Sequence, residues 1–279
     1  MTVAAGIRLH GAPRSASLRA FGAMVMRDLR VMRRDFAVVG MRSVVQPLLL
    51  VFVFAYVMPS IGTTLSSSQA NVPFSTILLP GAVASTMLIT GVVSVMSPLL
   101  VELTFNREIE DRLLAPLPVW SIAVEKIIVG AIQSLLTGAI VFPLALLIHP
   151  KGLAPVIDVH DWALLVVVVL AGSLFAAAIG LFFGTVADVR RGPSLLAVGL
   201  LPITMLGCVY YPWAALHSIR WLQVITLFNP LVYMSEGLRA SLTPGVPHLP
   251  LWSILAVLGG GCVLMSALSI ALFQRKVRI

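Results

Sequence analysis

The chain has 279 residues, of which 59% are hydrophobic and only 11% are charged, with a formal net charge of +8. Soluble proteins carry about 25% charged residues, so this composition excludes an ordinary soluble protein and predicts an integral membrane protein. The excess of positive charge then indicates membrane orientation rather than nucleic-acid binding. Cys208 and Cys262 both lie in apolar runs and are interpreted as packed thiols.

The N-terminal region is rich in arginine and contains no compact apolar stretch with a cleavage site, so no cleavable signal peptide is expected. Within residues 17–36, apolar residues recur at spacings of three and four, while Arg27, Arg30 and Arg34 fall on a neighbouring face. This pattern predicts an amphipathic helix in the inner membrane interface. Its role is either that of an anchor or that of a lever that also contacts a cytoplasmic partner.

Six apolar segments are long enough, or nearly so, to cross the hydrocarbon core, which takes about 20 residues in a helix. The sequence therefore predicts an all-α polytopic membrane protein with six transmembrane helices in one domain over residues 1–279. The predicted spans are 43–59, 74–101, 127–148, 162–187, 193–213 and 249–273.

The Lys and Arg residues are distributed unequally between the two sides of this topology. Sixteen lie in the N-terminal segment, the second-to-third and fourth-to-fifth loops and the C-terminus, whereas the other side has only Lys151, Arg220 and Arg239. Because cytoplasmic loops carry the excess of cations, both termini are predicted to be cytoplasmic, in a multi-pass protein of the cell (plasma) membrane.

A charged island follows the second predicted span. Five of the six residues from Arg107 to Arg112 are charged, with both signs, and Pro116 and Pro118 end any helix there. The segment 106–116 is therefore predicted to be a short cytoplasmic helix. It either packs into a groove on a soluble partner, where its charges give register and specificity, or forms an ordinary solvated turn.

A second polar segment, 213–242, lies between the fifth and sixth predicted spans. Asn229 and Pro230 are suited to cap and to begin a helix, on which Glu236 and Arg239 are three positions apart and can pair. Two explanations stay open: an interfacial aromatic belt with a surface ion pair, or a re-entrant lid that closes a pathway to the outside. The aromatic residues concerned are Tyr210, Tyr211, Trp213, Trp221 and Tyr233.

The sequence lacks the motifs that are typical of several other functional classes. The sequence has no G-x-x-x-x-G-K-[ST] phosphate loop, no H-E-x-x-H and no Cys/His cluster, so no ATP site, metal site or catalytic residue is predicted on this chain. The near absence of ionisable groups from the predicted spans disfavours an ion-coupled secondary transporter. A membrane-embedded lipid-modifying enzyme would depend on the carboxylates at 102–111, which are interleaved with arginines.

Over most of its length the chain resembles the permeases of type-2 ATP-binding-cassette (ABC) exporters, the group that includes daunorubicin-resistance-type drug and lipid exporters, and the two polar segments carry the motifs. Arg107, Glu108, Leu113, Leu114 and Pro116 occupy matching places in that family's coupling-helix pattern, although Glu110-Asp111 replaces its Gly-Thr pair. In the outer segment the matching residues are Asn229, Pro230, Leu231, Tyr233, Glu236, Leu238 and Arg239.

The resemblance implies a permease subunit that exports a hydrophobic or amphipathic cargo, such as a drug or a lipid, from the cytoplasm or the inner leaflet. Multidrug or antibiotic resistance is a typical role of the group, and polysaccharide or another cargo is the alternative. The resemblance also implies a central cavity formed mainly by the first, second and fifth spans.

The partners implied are two cytoplasmic ABC ATPase subunits, which carry ATP and Mg, a second permease that is identical or homologous, and membrane lipids; no nucleic acid is implied. No cofactor is expected on this chain. The implied ATPase-coupling residues are Arg107, Glu108, Glu110, Asp111, Arg112, Leu113 and Leu114. The implied outer-gate residues are Tyr210, Tyr211, Trp213, Asn229, Pro230, Tyr233, Glu236 and Arg239.

Overall fold

The computed structural model describes residues 14–60, 73–103, 118–148, 154–187, 192–243 and 245–277. Within these residues all regular secondary structure is helical, which confirms the predicted all-α class. The helices are α1 (Arg14–Val51), α2 (Phe74–Val101), α3 (Val119–Leu146), α4 (Trp162–Val186), α5 (Gly192–Met205), α6 (Arg220–Thr226), α7 (Pro230–Leu242) and α8 (Leu251–Val277). In addition, α1 continues through a π-helical segment, Phe52–Val57, to Met58–Ser60, and a 3-10 helix, Trp213–Ser218, precedes α6.

Four of the predicted spans correspond to helices long and apolar enough to cross a membrane, namely α2, α3, α4 and α8. Within the described residues, the first and fifth predicted spans contain no helix that is long and apolar enough to cross a membrane. Only a shorter apolar helix, Pro47–Val57, falls in the first. At 14 residues, α5 is about 21 Å long, less than the hydrocarbon thickness of about 30 Å. Six crossings therefore stay a prediction.

Three boundaries differ from the sequence prediction. The fifth predicted span, 193–213, is helical only to Met205, and residues 206–212 are irregular. The predicted amphipathic helix 17–36 and the first predicted span are one continuous helix, because no proline separates them and the single Gly40 carries only a modest helix penalty of about 1 kcal/mol. The third helix begins at Val119, directly after Pro118, and not at residue 127. Glu125 and Lys126 consequently lie inside α3 and not in a loop.

The helices α2 and α4 form the centre of the bundle. The helix α2 packs against α1, α3, α4 and α7, while α4 also contacts α3, α7 and α8. Their close approach depends on Gly180, where an added Cβ would lie 2.5 Å from the carbonyl oxygen of Val92. In membranes there is no hydrophobic driving force between helices, and small residues at the crossings allow the helices to approach closely.

The bundle has two ends that differ in chemistry. The helix α2 begins beside Arg239, which contacts Ile77, and ends beside Lys126, which contacts Glu102. Its 28 residues separate these two groups by about 40 Å. We call these the Arg239 end and the Lys126 end.

Candidate functional site

In the segment 213–242, which is the predicted outer gate, the main helix begins as predicted. The Asn229 side chain accepts a hydrogen bond from the backbone N–H of Leu231 at 3.0 Å, and Pro230 occupies the first helical position of α7. The same side chain donates through Nδ2 to the carbonyl oxygen of Ile203 at 2.7 Å. This carbonyl lies in the last turn of α5, where backbone oxygens have no intrahelical partner. Asn229 therefore joins the start of α7 to the end of α5.

Glu236 and Arg239 form the predicted ion pair, but both side chains are 0% exposed. The alternative of a surface pair is therefore wrong. Glu236 accepts from the backbone N–H of Trp213 through Oε1, at 2.9 Å, and from that of Leu249 through Oε2, at 3.1 Å. A buried carboxylate is tolerated only when it is paired and hydrogen-bonded in this way. The pair thus fastens α7 to the 3-10 helix and to Leu249, two residues before α8.

Arg239 extends the same network to the centre of the bundle. Its Nη2 donates to the carbonyl oxygens of Cys208, at 3.0 Å, and of Ile77, at 3.3 Å. The Nε atom is buried and has no hydrogen-bond partner among the described residues. Five parts of the chain therefore meet at one buried pair: α2, the segment after α5, the 3-10 helix, α7 and the start of α8.

The irregular segment 206–212 is stabilised by these contacts. Cys208 has a φ of 51°, a left-handed conformation that few residues other than glycine adopt. The neighbouring Gly207 carbonyl accepts from the Ser235 hydroxyl at 2.9 Å. Gly81 of α2 lies so close to Val209 that an added Cβ would collide with its backbone. Non-helical backbone at membrane depth requires this kind of burial in protein.

The aromatic residues of the predicted gate are fixed to the backbone around them. Tyr233 donates through its hydroxyl to the Leu227 carbonyl at 2.9 Å, and Trp213 donates through Nε1 to the Gln223 carbonyl at 3.2 Å. The Tyr210 ring packs on Phe54 of the π-helical segment, with ring centroids 5.6 Å apart. Tyr211 is half-buried and Trp221 is exposed. The four aromatic residues of the predicted gate, Tyr210, Tyr211, Trp213 and Tyr233, thus belong to one packed core, whereas Trp221, which is not among the predicted gate residues, lies outside it.

A cavity of about 120 Å³ lies between α1, α2 and α5, the helices of the first, second and fifth predicted spans. Its lining is mainly apolar. Four hydroxyl residues, Ser85, Thr86, Thr90 and Thr204, line it together with Tyr210. The first, second and fourth of these hydroxyls bond carbonyls of their own helices. The buried Thr90 hydroxyl has no partner among the described residues, so it is available to a polar group in the cavity.

A polar cluster at the Lys126 end was not predicted. Lys126 Nζ lies 2.6 Å from Glu102 Oε1 and 3.3 Å from Asp28 Oδ2, and the three side chains are 7%, 11% and 14% exposed. Glu125 is fully buried in the same turn of α3. Because Glu102 already binds an ammonium group, it is poorly suited to the metal or phosphate binding that a lipid-modifying enzyme would require. The signal in the sequence was the position of Glu102 and Lys126 on either side of the charged island.

The predicted coupling residues, Arg107, Glu108, Glu110, Asp111, Arg112, Leu113 and Leu114, lie outside the described residues. Among the residues that are described, no group of three or more His, Cys, Asp and Glu side chains is placed to hold a metal ion.

The long apolar helices define a multi-pass helical membrane protein. Residues 19–243 match the model of the family described as ABC-2 type transporter, and the chain belongs to this family. It is also 32% identical, over 158 residues, to the inner membrane transport permease YadH of Escherichia coli (strain K12) and to the protein of the same name from Shigella flexneri. The match covers 55% of this chain and spans 57% of the length of these relatives.

Proposed function

We propose that the chain is the membrane-spanning subunit of an ATP-driven ABC exporter. Its cargo is a hydrophobic or amphipathic molecule, such as a drug or a lipid, which it moves out of the cytoplasm or the inner leaflet. Two ABC ATPase subunits bind it and carry ATP and Mg, and a second permease, identical or homologous, completes the pathway.

The observation that carries this proposal is the cavity between α1, α2 and α5. Its lining is apolar with a few hydroxyl groups, which suits an amphipathic molecule better than an ion or a sugar chain. At about 120 Å³ it is smaller than the binding sites of drug-sized ligands, which measure about 300–1,000 Å³. We infer that it is one wall of a larger pathway, which the second permease completes.

The outer segment 213–242 is proposed to be the gate of this pathway. Because Arg239 fastens it to Ile77 and Cys208, it moves as one body with the start of α2 and the segment after α5. Tyr210 connects this body to the cavity, since it also lines the cavity. The gate opens when α1, across the cavity, separates from this body.

The proposed topology has six crossings with both termini in the cytoplasm. The first crossing uses the second half of α1 with the π-helical segment, and the fifth uses α5 followed by the buried irregular segment 206–212. Accessibility of single cysteines to an impermeant thiol reagent in intact cells tests this topology. Position 67 is expected to react from outside and position 110 only after lysis; the reverse pattern would contradict the proposed orientation.

The charged segment 106–116 is proposed to be the ATPase-coupling helix. Reversing Glu108 and Arg112 in turn, as Glu108→Lys and Arg112→Glu, is expected to weaken ATPase association, because the charges set register against the partner. Recovery of the ATPase with the tagged permease measures this directly. The matched control is Arg220→Glu, which reverses an exposed charge in the outer segment. Normal ATPase recovery and transport in both island variants would remove the coupling role.

A further inference from the structure

The Lys126 cluster joins three parts of the chain that are far apart in sequence. Glu102 directly follows α2, and Lys126 lies in the second turn of α3, 24 positions later. Asp28 lies on α1, 98 positions before Lys126. The predicted coupling helix 106–116 falls between Glu102 and Lys126 in the sequence. The ammonium group of Lys126, on one stem of that loop, thus binds Glu102 on the other stem and Asp28 on the N-terminal helix.

Ionic contacts in a largely buried setting fix these helices more strictly than apolar packing does. An ammonium group has three donors and no acceptor, so Lys126 can bind both carboxylates at once. The bond from Lys126 to Glu102 is short, at 2.6 Å, and the bond to Asp28 is longer, at 3.3 Å. Removing Lys126 would leave the largely buried carboxylates without their cation. Asp28 also contacts the exposed Arg27 through its other oxygen, at 3.1 Å. The helices therefore cannot slide past one another unless the cluster breaks.

We propose that Lys126 is a positioning residue for energy coupling, which makes α1 follow the movement of the loop between α2 and α3. A displacement imposed on this loop by the ATPase is then transmitted to α1, which forms one wall of the cavity. This inference rests on the proposed function. It gives the N-terminal helix the role of a lever, with Lys126 as its attachment.

The test measures whether α1 and α3 move together in the complex with the ATPase, reconstituted in lipid nanodiscs. Spin labels are attached to cysteines that replace the exposed Arg30 on α1 and Trp120 on α3, after Cys208→Ser and Cys262→Ser. Their mean distance is measured by electron spin resonance without nucleotide and with ATP, Mg and vanadate. In the otherwise native chain the distance is expected to be the same in both states.

Three substitutions distinguish positioning from simple structural support. In Lys126→Met, the nucleotide is expected to shift or broaden the distribution of α1–α3 distances while the ATPase stays bound. In Lys126→Arg, the distance is expected to be the same with and without nucleotide, as in the native chain. Asp28→Asn, which keeps the Lys126–Glu102 bond, is the milder variant if Lys126→Met does not fold, and it is expected to release α1 alone. Lys276→Met is the matched control, because Lys276 lies at the same end and donates to the Thr185 carbonyl, away from the loop.

The outcomes separate the two claims. If no ATPase co-purifies with the unsubstituted chain, the proposed function fails and the coupling role of Lys126 fails with it. If the ATPase is recovered, the positioning role alone is overturned by either of two results. One is a nucleotide-dependent α1–α3 distance in the unsubstituted chain, and the other is an unchanged distance in Asp28→Asn or Lys126→Met.

Discussion

Arg239 donates to the carbonyl oxygen of Cys208 at a distance of 3.0 Å, and thereby fixes the chain where the helix α5 has already ended. Cys208 has a positive φ, so the segment around it is not helical and separates α5 from the 3-10 helix that follows. A buried guanidinium group is suited to this position, since it offers several donors in a rigid fork. The irregular turn and the buried pair therefore depend on each other.

Replacing Arg239 by Met is expected to destabilise the fold by about 3–5 kcal/mol, because Glu236 would stay buried without its cation. Arg239→Lys is expected to recover only part of the loss, since one ammonium group cannot replace the fork. The unfolding temperatures of the variants are compared in detergent, and the loss of folded protein on heating is monitored by size-exclusion chromatography. Arg220→Met, which removes an exposed cation, is the control and is expected to have little effect. Equal unfolding temperatures for Arg239→Met and the control would contradict the structural role of the pair.

Asn229 has two separable roles, as a helix cap and as a donor to Ile203. Asn229→Asp keeps the oxygen that caps α7 but loses the Nδ2 donor, whereas Asn229→Ala loses both. The cap alone is worth about 1 kcal/mol, so Ala is expected to be less stable than Asp, and Asp less stable than the native chain. The same unfolding assay checks this order. An Asp variant as stable as the native chain would show that the bond to Ile203 contributes nothing.

Gly180 is expected to tolerate no side chain. Gly180→Ala places a methyl group against the Val92 carbonyl and is predicted to destabilise the packing of α2 on α4 by about 1–3 kcal/mol. Gly260 in α8 has open space around it, so Gly260→Ala is the matched control and is expected to be neutral or stabilising by up to about 1 kcal/mol. If both alanine variants unfold at the same temperature, the two helices do not approach as closely as described.

The Thr90 hydroxyl provides a test of the cavity. Thr90→Val removes a buried hydroxyl that lacks a partner, so it is expected to stabilise the protein by about 1–3 kcal/mol. In Thr86→Val the hydroxyl that is lost binds the Ala82 carbonyl at 2.7 Å, so no such gain is expected. Under the proposed function, Thr90→Val also reduces the export of fluorescent amphipathic probes from proteoliposomes. A variant with unchanged stability and unchanged export would exclude Thr90 from a binding role.

Local rules predicted the features that depend on a few neighbouring residues. The cap at Asn229, the start of α7 at Pro230 and the pairing of Glu236 with Arg239 all follow from spacing along one helix. The burial of the pair could not be predicted, because it depends on Leu249 and on the carbonyls of α2 and of the segment after α5. These groups are distant in sequence and carry no local signal.

The Lys126 cluster was missed for a different reason. Hydropathy places the start of a span where the charges end, so it predicts that Lys126 lies in a loop, although α3 begins at Val119. Charges at a helix end can be buried when their partners come from other helices, here Glu102 and Asp28. Only the packing of α1, α2 and α3 brings these partners together.

The central claim is that this chain is driven by a separate ATPase, and co-purification from the native membrane tests it most directly. The tagged chain is extracted in mild detergent, and the proteins that accompany it are identified and quantified by mass spectrometry. We predict a stoichiometric ATPase that contains a phosphate loop. If the permease is recovered intact as an oligomer and no such ATPase accompanies it, the account of an ATP-driven exporter is contradicted.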